Sequence, residues 1–286
     1  MTGINEQIRR FGFMTTSAPV GVKKSGRSRV FRFRSENGSY ILKHYRSSDS
    51  KRELEWYKLL QELGVKTLRP IAVGPESAVF PDLSRDQDYR IGVIDDWSDP
   101  LVASSLASWL KEFHRRGYAY PSIATLSAFN EHDYITPKNV RRMLRKHCPQ
   151  DESGKSFVDA LDGILGYYHT LPRTLMYRDF YYENLVIRND RSEAFVYDFD
   201  VSGTDIAESD IAHVETYLSD NALVAFMEEY GPVDELHLEI GRLFLALFKI
   251  MYALDERTVP PWAKVYVDRL VNGSLHGMVQ KIASYI

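Results

Sequence analysis

Only one cysteine, Cys148, occurs in the 286 residues. That excludes an intramolecular disulfide framework and a cysteine-built zinc site, and it leads us to expect a reducing, cytoplasmic setting. Long apolar runs are missing too: the longest, Leu243 to Leu254, is broken by Lys249 and is too short to span a bilayer. We therefore expect a buried C-terminal helix there and no membrane partner. Met1 to Arg10 is polar without an apolar centre, so no signal peptide is expected. Internal repeats and low-complexity linkers are also absent. His169 and His213 lack the spaced companions of a metal site and read as structural or exposed.

Charge of one sign is missing over a long stretch. From Ser192 to Gly241 there is no Lys or Arg, while acids recur from Glu193 to Glu239. Such a tract either covers solvated helix faces or, set against the Lys- and Arg-rich N-terminal part, favours a cationic, hydroxyl-bearing substrate. A basic helix face at Lys138, Arg141, Arg142, Arg145 and Lys146 carries no interleaved aromatics, so no nucleic-acid partner is expected. The overall balance, 44% hydrophobic with net charge −3, is that of an ordinary folded protein, long enough for one bilobed enzyme or two domains.

The informative part of the chain is Tyr177-Arg178-Asp179-Phe180-Tyr181-Tyr182-Glu183-Asn184, followed by the apolar Phe195-Val196-Tyr197 and then Asp198-Phe199-Asp200. The interval from Asp179 to Asn184 matches the Asp-x-x-x-x-Asn of a kinase catalytic loop, and Asp198-Phe199-Asp200 stands where a metal-binding Asp-Phe-Gly would. Asp179 would orient an attacking hydroxyl and take its proton, a role that contributes ~10²–10⁴ in rate. Mg²⁺ takes oxygen ligands and usually shares only one or two protein groups with nucleotide phosphates. Asn184 and Asp198, with Asp200 beside them, are the right residue types.

Upstream, Val30 to Arg34 alternates, Tyr40 to Tyr45 is strand-like, and Asn37-Gly38 between them is a hairpin signal. Lys43 therefore lies in a strand, either as an edge lysine in water or as the phosphate-clamping lysine of a nucleotide site. Ser47 to Ser50 offers N-caps for a helix from Lys51 to Leu63, closed by Gly64. On it Glu53, Trp56, Tyr57 and Leu60 share one face, whereas Glu55 keeps company with Lys58 and Glu62. An inward glutamate needs a partner, because burying an unpaired carboxylate costs several kcal/mol. Lys43 is the candidate. Strand lysine, helix glutamate, catalytic loop and metal aspartate follow one another in the order of a kinase, and that order decides for the nucleotide site.

At this point the chain, from about Val22 to about Leu218, resembles the aminoglycoside phosphotransferase and choline kinase-like small-molecule kinases, including spore-coat kinase-like proteins. Trp109 to His114 resembles that family's Leu-x-x-x-His helix, and Ser209-Asp210-Ile211-Ala212 its Asp-Leu-Ala segment. The resemblance implies an α+β, bilobed, protein-kinase-like fold. Residues 1–95 would form a nucleotide-binding lobe with an antiparallel sheet and one helix. Residues 96–286 would form a larger, mainly helical lobe for catalysis and the acceptor. It implies ATP, or GTP, with Mg²⁺ as cofactors, a small-molecule hydroxyl acceptor as partner, and a monomer or homodimer. Asp210 would brace the catalytic loop, and His114 would be structural.

By position, Ser25 and Gly26 would belong to the phosphate-covering loop, although Lys23 to Ser28 holds a single glycine. Ile91 to Ile94 would be the last strand of the small lobe, with the adenine against a hinge at Ile94 and Asp95. Helical periodicity marks 106–116, 137–146, 157–169, 211–230 and 236–254.

Two departures stand out. The family's His-Gly-Asp is Tyr177-Arg178-Asp179 here; the tyrosine can fill the histidine's place, and Arg178 should pair with a nearby acid. The interval from Asp200 to Asp210 is too short for a phosphorylated activation loop, and no Ala-Pro-Glu follows, which disfavours a regulated protein kinase. Tyr181 and Tyr182, beside the base, could stack on a sugar or cationic acceptor. The expected activity is O-phosphorylation of an aminoglycoside-like antibiotic, amino alcohol or sugar. Its alternatives are a catalytically silent kinase-fold scaffold and a kinase acting on a peptide.

Overall fold

The structure, a computed structural model, describes residues 2–24, 27–123, 126, 129–149 and 154–286. Ser25 and Gly26, expected in the phosphate-covering loop, lie outside them. In chain order the strands are β1 (Val20–Lys24), β2 (Ser28–Ser35), β3 (Gly38–Tyr45), β4 (Ala72–Val73), β5 (Ser77–Pro81), β6 (Tyr89–Ile91), β7 (Thr174–Met176), β8 (Leu185–Arg188), β9 (Ala194–Val196) and β10 (Gly203–Asp205). The α-helices are α1 (Thr2–Arg10), α2 (Ser48–Glu62), α3 (Pro100–Tyr118), α4 (Pro137–His147), α5 (Gly154–Tyr168), α6 (Ala207–Val214), α7 (Asp220–Tyr230), α8 (Glu235–Tyr252), α9 (Pro261–Val271) and α10 (Ser274–Ala283). Among the described residues no helix is long and apolar enough to cross a membrane.

The chain gathers into two compact units. The first comprises Met1–Arg116, Asp179–Ser202 and Leu218–Gly231. Its larger sheet is antiparallel in the order β1-β2-β3-β5-β4. Ser35 pairs with Gly38, so the hairpin turn is Glu36-Asn37, one residue earlier than the sequence signal suggests, and Gly38 opens β3 with φ 140°. The two-residue period of a strand buries Leu42 with Phe33, Val79 and Ile8 of α1. Ile41 and Lys43 go to the other face, where they line a cavity.

Helix α2 buries Glu53, Trp56, Tyr57 and Leu60 as the periodicity predicts, and leaves Glu55 and Lys58 exposed. A second sheet, β6-β8-β9, takes up the chain at Leu185, directly after the Asp179–Asn184 segment, whereas β7 before it pairs with β10.

The strand expected over Ile91 to Ile94 stops at Ile91, and Ile94–Ser98 is a 3₁₀ turn. Asp96 causes the change: its carboxylate accepts the Val93 N–H at 2.7 Å and binds Arg90 through both oxygens at 2.6 and 2.7 Å. Burial alone would lift the Asp96 pKa, but Arg90 and the Val93 N–H outweigh it and hold the carboxyl below its usual range. It is thus a buried cap rather than part of a solvated turn.

The second unit comprises Gly117–Arg178, Gly203–Tyr217 and Pro232–Ile286. Its core joins α4, α5, α8, α9 and α10 through residues such as Met143, Phe157, Ile164, Leu243, Leu247, Leu270 and Val279. The segment read as one helix over 211–230 is two, because the chain turns between Val214 and Asp220 and the Thr216 hydroxyl donates to the His213 carbonyl at 2.7 Å. Helices α1, α9 and α10 lie outside the segments expected to be helical. The expected buried helix is α8, which runs from Glu235 and carries more of the buried apolar side chains of this core than any other helix.

Candidate active site

The cavity of the first unit, about 960 Å³, falls in the size range of small-molecule and cofactor sites. Lys43 reaches it from β3. Its Nζ donates to Glu53 Oε2 at 2.5 Å and to Asp198 Oδ1 at 2.7 Å. Burial would lower the Lys43 pKa, but the two carboxylates more than reverse this and hold it well above its ordinary value, so the lysine stays charged. Glu53, fully buried, is pushed up to about 7, first by burial, against the pull of Lys43 and with the charge of Asp198 adding to the rise. The pairing inferred from one inward-facing helix position is therefore present, and it extends to the residue expected on the metal.

Asp198 sits in a left-handed conformation, φ 67°. Its backbone N–H donates to the Tyr57 hydroxyl at 3.2 Å, which gives α2 a second hold on the segment. Phe199 adds a third by stacking on Trp56 and meeting Tyr57 edge-on. Tyr57 looked purely apolar by periodicity; only its hydroxyl hinted otherwise.

The loop from Asp179 to Asn184 closes on itself. Asn184 Nδ2 donates to Asp179 Oδ2 at 2.8 Å and to the Asp179 carbonyl at 3.0 Å, which fixes the carboxylate's orientation. Gly92 lets this loop come close: a Cβ there would lie 2.5 Å from the Tyr182 carbonyl oxygen, while its N–H donates to the Leu185 carbonyl at 2.9 Å. Asp179, Asn184, Asp198 and Asp200 all line the cavity with Lys43. Tyr181 and Tyr182 pack ring to ring at 4.4 Å, and Tyr181 is exposed.

Among the described residues no three His, Cys, Asp or Glu side chains gather as a metal cage. Mg²⁺ does not need one, since it leaves most positions to water and phosphate. The donors present do suit it. Asn184 uses its amide nitrogen on Asp179, which turns its carbonyl oxygen the other way. Asp200 is pushed up first by burial and then by the charge of Asp198, against Lys43 and Arg27, so the pair of carboxylates would gain from a bound cation.

Not every expected residue meets the cavity. Ile94 and Asp95 are not among its lining, and Ile94 is 67% exposed. Pro81 to Ser84, at the end of β5, line it instead. The last strand of the small lobe is expected over Ile91 to Ile94, but β5 is the strand hydrogen-bonded beside β3, and pairing order cannot be read from a single strand's pattern. Arg27 and Asp82 line the cavity as well.

In the second unit, the residues before the base are held from below. Asp210, early in α6, accepts the Tyr177 N–H and the Arg178 N–H, each at 2.8 Å, as expected of a structural brace. Tyr177 is fully buried. Arg178 finds its acid: its guanidinium lies 3.4 Å from Asp205, and Nη1 donates to the Phe129 carbonyl at 2.5 Å. His213 is buried against Glu131 at 3.0 Å. In the first unit, His114 lies 2.8 Å from the Tyr230 hydroxyl. Both are structural.

A lysine held between a helix glutamate and an aspartate, with an Asp–Asn loop in the same cavity, is the arrangement of a kinase-like phosphotransfer site. The sequence profile of the APH phosphotransferase enzyme family matches residues 22–243, and the chain belongs to that family. No curated protein sequence matches it.

Solved structures share the fold at low identity. Choline kinase LicA from Streptococcus pneumoniae is 14% identical, with a TM-score of 0.66 over 96% of this chain and 98% of its own. The macrolide 2'-phosphotransferase MphH from Brachybacterium faecium is 15% identical, with a TM-score of 0.63 over 95% of this chain and 98% of its own. The spectinomycin phosphotransferase APH(9)-Ia, solved with ADP and spectinomycin, is 14% identical, with a TM-score of 0.64 over 99% of this chain and 97% of its own.

Proposed function

We propose that this protein transfers the γ-phosphoryl group of ATP, or GTP, to a hydroxyl of a small molecule with the help of Mg²⁺. The observation that carries the reading is Lys43, held at 2.5 Å by Glu53 and at 2.7 Å by Asp198 in the cavity that also receives Asp179 and Asn184. Structures of the same fold with ADP or GDP bound support a nucleotide there.

Lys43 binds the phosphates, and Glu53 keeps it in place. Asn184 and Asp198, with Asp200, would hold Mg²⁺, which when bound offsets the charge on the phosphates. Asp179 accepts the acceptor's proton as the acceptor oxygen bonds to the γ-phosphorus. The bond from that phosphorus to the β–γ bridging oxygen breaks at the same time, leaving a phosphate ester and a nucleoside diphosphate. Arg178 agrees with an active rather than a silent protein. Its side chain is buried on Asp205 and Phe129, and its backbone, φ 72°, takes a conformation that suits the glycine the family has there.

We assign the nucleotide to residues 1–95, with the base end toward Pro81 to Ser84, and catalysis and acceptor binding to residues 96–286. We also assign the protein to the cytoplasm, as a monomer or homodimer. Much of the acidic tract already has partners: Glu193 binds Lys66, Asp205 binds Arg173 and Arg178, and Glu215 and Glu239 bind Arg242. The tract therefore lends little to a preference for cationic acceptors. What the acceptor must bring is a hydroxyl, and aminoglycosides, amino alcohols and sugars are the classes to try.

The test is incubation with Mg-ATP and a panel of aminoglycosides, amino alcohols, sugars, nucleosides and peptides, with the product identified by mass spectrometry. A phosphorylated small molecule is expected, and its formation should fall by ~10²–10⁴ in Asp179→Asn. ATP left intact across the panel would count against the reading, and a phosphorylated peptide alone would replace it.

A further inference from the structure

Across the larger sheet, three side chains stand in one row on the face that lines the cavity. The register sets Arg32 of β2 opposite Ile41 of β3, and Ile41 opposite Phe80 of β5; directly opposite residues of neighbouring strands point to the same side. All three line the cavity. Two of them are apolar, and the third carries a charge.

That charge is held at one end. Arg32 Nε lies 2.8 Å from Asp82 Oδ2, and Nη2 donates to Asp82 Oδ1 at 3.3 Å. The Asp82 side chain is 2% exposed and is itself fixed. It accepts the Ser39 hydroxyl at 2.6 Å, the Ser84 hydroxyl at 2.8 Å and the Ser84 N–H at 3.2 Å. A planar group bonded along one edge to an immobile carboxylate has its orientation set in advance, so less freedom is lost when a ligand packs against it. The Arg32 side chain nonetheless stays 43% exposed. An ion pair this exposed adds little to stability, which leaves its place in the cavity to be explained.

Asp82 belongs to the segment Pro81 to Ser84, toward which the base of the nucleotide is assigned above. A guanidinium face attracts aromatic rings, and stacking on a base does not depend on the groups along the base's edge.

From this row we propose that Arg32 is a base-binding residue: its guanidinium, locked by Asp82, lies flat on the purine ring of the bound nucleotide and continues the apolar cover of Ile41 and Phe80. The inference rests on the nucleotide reading above and adds to it a contact that adenine and guanine accept equally.

Binding alone tests it, without an acceptor. The non-hydrolysable triphosphate AMP-PNP, and AMP, each with Mg²⁺, are titrated calorimetrically into wild type, Arg32→Ala and Arg32→Lys. The two ligands share the base and differ in the phosphates, so Arg32→Ala should weaken both by the same factor, about three- to tenfold. Lysine keeps the charge that answers Asp82 but offers no plane, so Arg32→Lys should weaken both by most of that factor. Asp82 retains Ser39 and Ser84 in either variant, and thermal melts should show both folded.

Wild-type affinity in Arg32→Ala, or a loss confined to AMP-PNP, would overturn the assignment, the second by making Arg32 a phosphate contact. Wild-type affinity in Arg32→Lys would overturn it too, since the ion pair with Asp82 would then be the whole effect. The nucleotide reading would survive each of these results. Wild type that binds neither ligand would remove both.

Discussion

Arg178 and Gly203 share one narrow space in the second unit. A Cβ added to Gly203 would come within 2.2 Å of Arg178 Nη1 and within 1.8 Å of the Phe129 carbonyl oxygen. The arginine that departs from the family pattern is thus accommodated by a glycine far along the chain. Its charge is met by Asp205, which also takes Arg173 at 3.1 Å.

Gly203→Ala should be severely destabilised, because no contact below 3.0 Å can survive without a shift and Phe129 presents backbone rather than a flexible tip. Adding Arg178→Gly should not rescue it, since the carbonyl clash remains. Thermal melts of the single and double variants check this, and recovery in the double variant would mean that the guanidinium alone sets the limit.

Arg178→Ala breaks a buried pair and should cost toward the low end of ~3–5 kcal/mol, because Arg173 still neutralises Asp205. Arg178→Gly should be more stable than Arg178→Ala by about 1 kcal/mol, since φ 72° strains any residue with a Cβ. Urea denaturation of both variants gives the order directly.

Asp205 carries a pH signature. Burial alone would raise its pKa, but His132, Arg178 and Tyr168 hold the carboxyl down to about 2. A folded value below the unfolded one of about 3.9 means that the unfolded chain binds the proton first. The stabilisation is therefore complete above about pH 4 and is lost as pH falls through about 2. The stability gap between wild type and Asp205→Asn should be constant near neutrality and shrink by about 2–3 kcal/mol across that window, as measured by denaturation at stepped pH. A gap that stays constant down to pH ~2 would show that the pairs do not act through the charge of Asp205.

Asp198→Asn should keep the fold, because asparagine tolerates the left-handed conformation at φ 67°. Asp198→Ala should be less stable by about 1 kcal/mol. Both should lose the Mg²⁺ dependence of nucleotide binding, because Lys43 retains Glu53 while the metal loses a carboxylate. Melts and calorimetry with and without Mg²⁺ separate the two effects.

Much of this was legible from local pattern. Glu53 reads as inward because α2 repeats with a helical period and an inward carboxylate needs a cation, for which Lys43 in the preceding strand is the natural candidate. The span from Asp179 to Asn184 is short enough that spacing alone puts the two side chains together. The edge of the cavity was not legible. Ile94 and Asp95 were expected there because a strand was read up to Ile94, but the Arg90–Asp96 cap ends it at Ile91, and β5 brings Pro81 to Ser84 in instead.

By itself the sequence determined the order of the chemical groups: a strand lysine, a helix glutamate, a base with its asparagine, and a pair of aspartates. It could do so because each sits in a segment whose period or spacing is local. Only the tertiary structure decided which acid answers Arg178, that Gly203 makes room for it, and that Arg27 rests on Asp200. Those partners are distant along the chain, and no local period connects them.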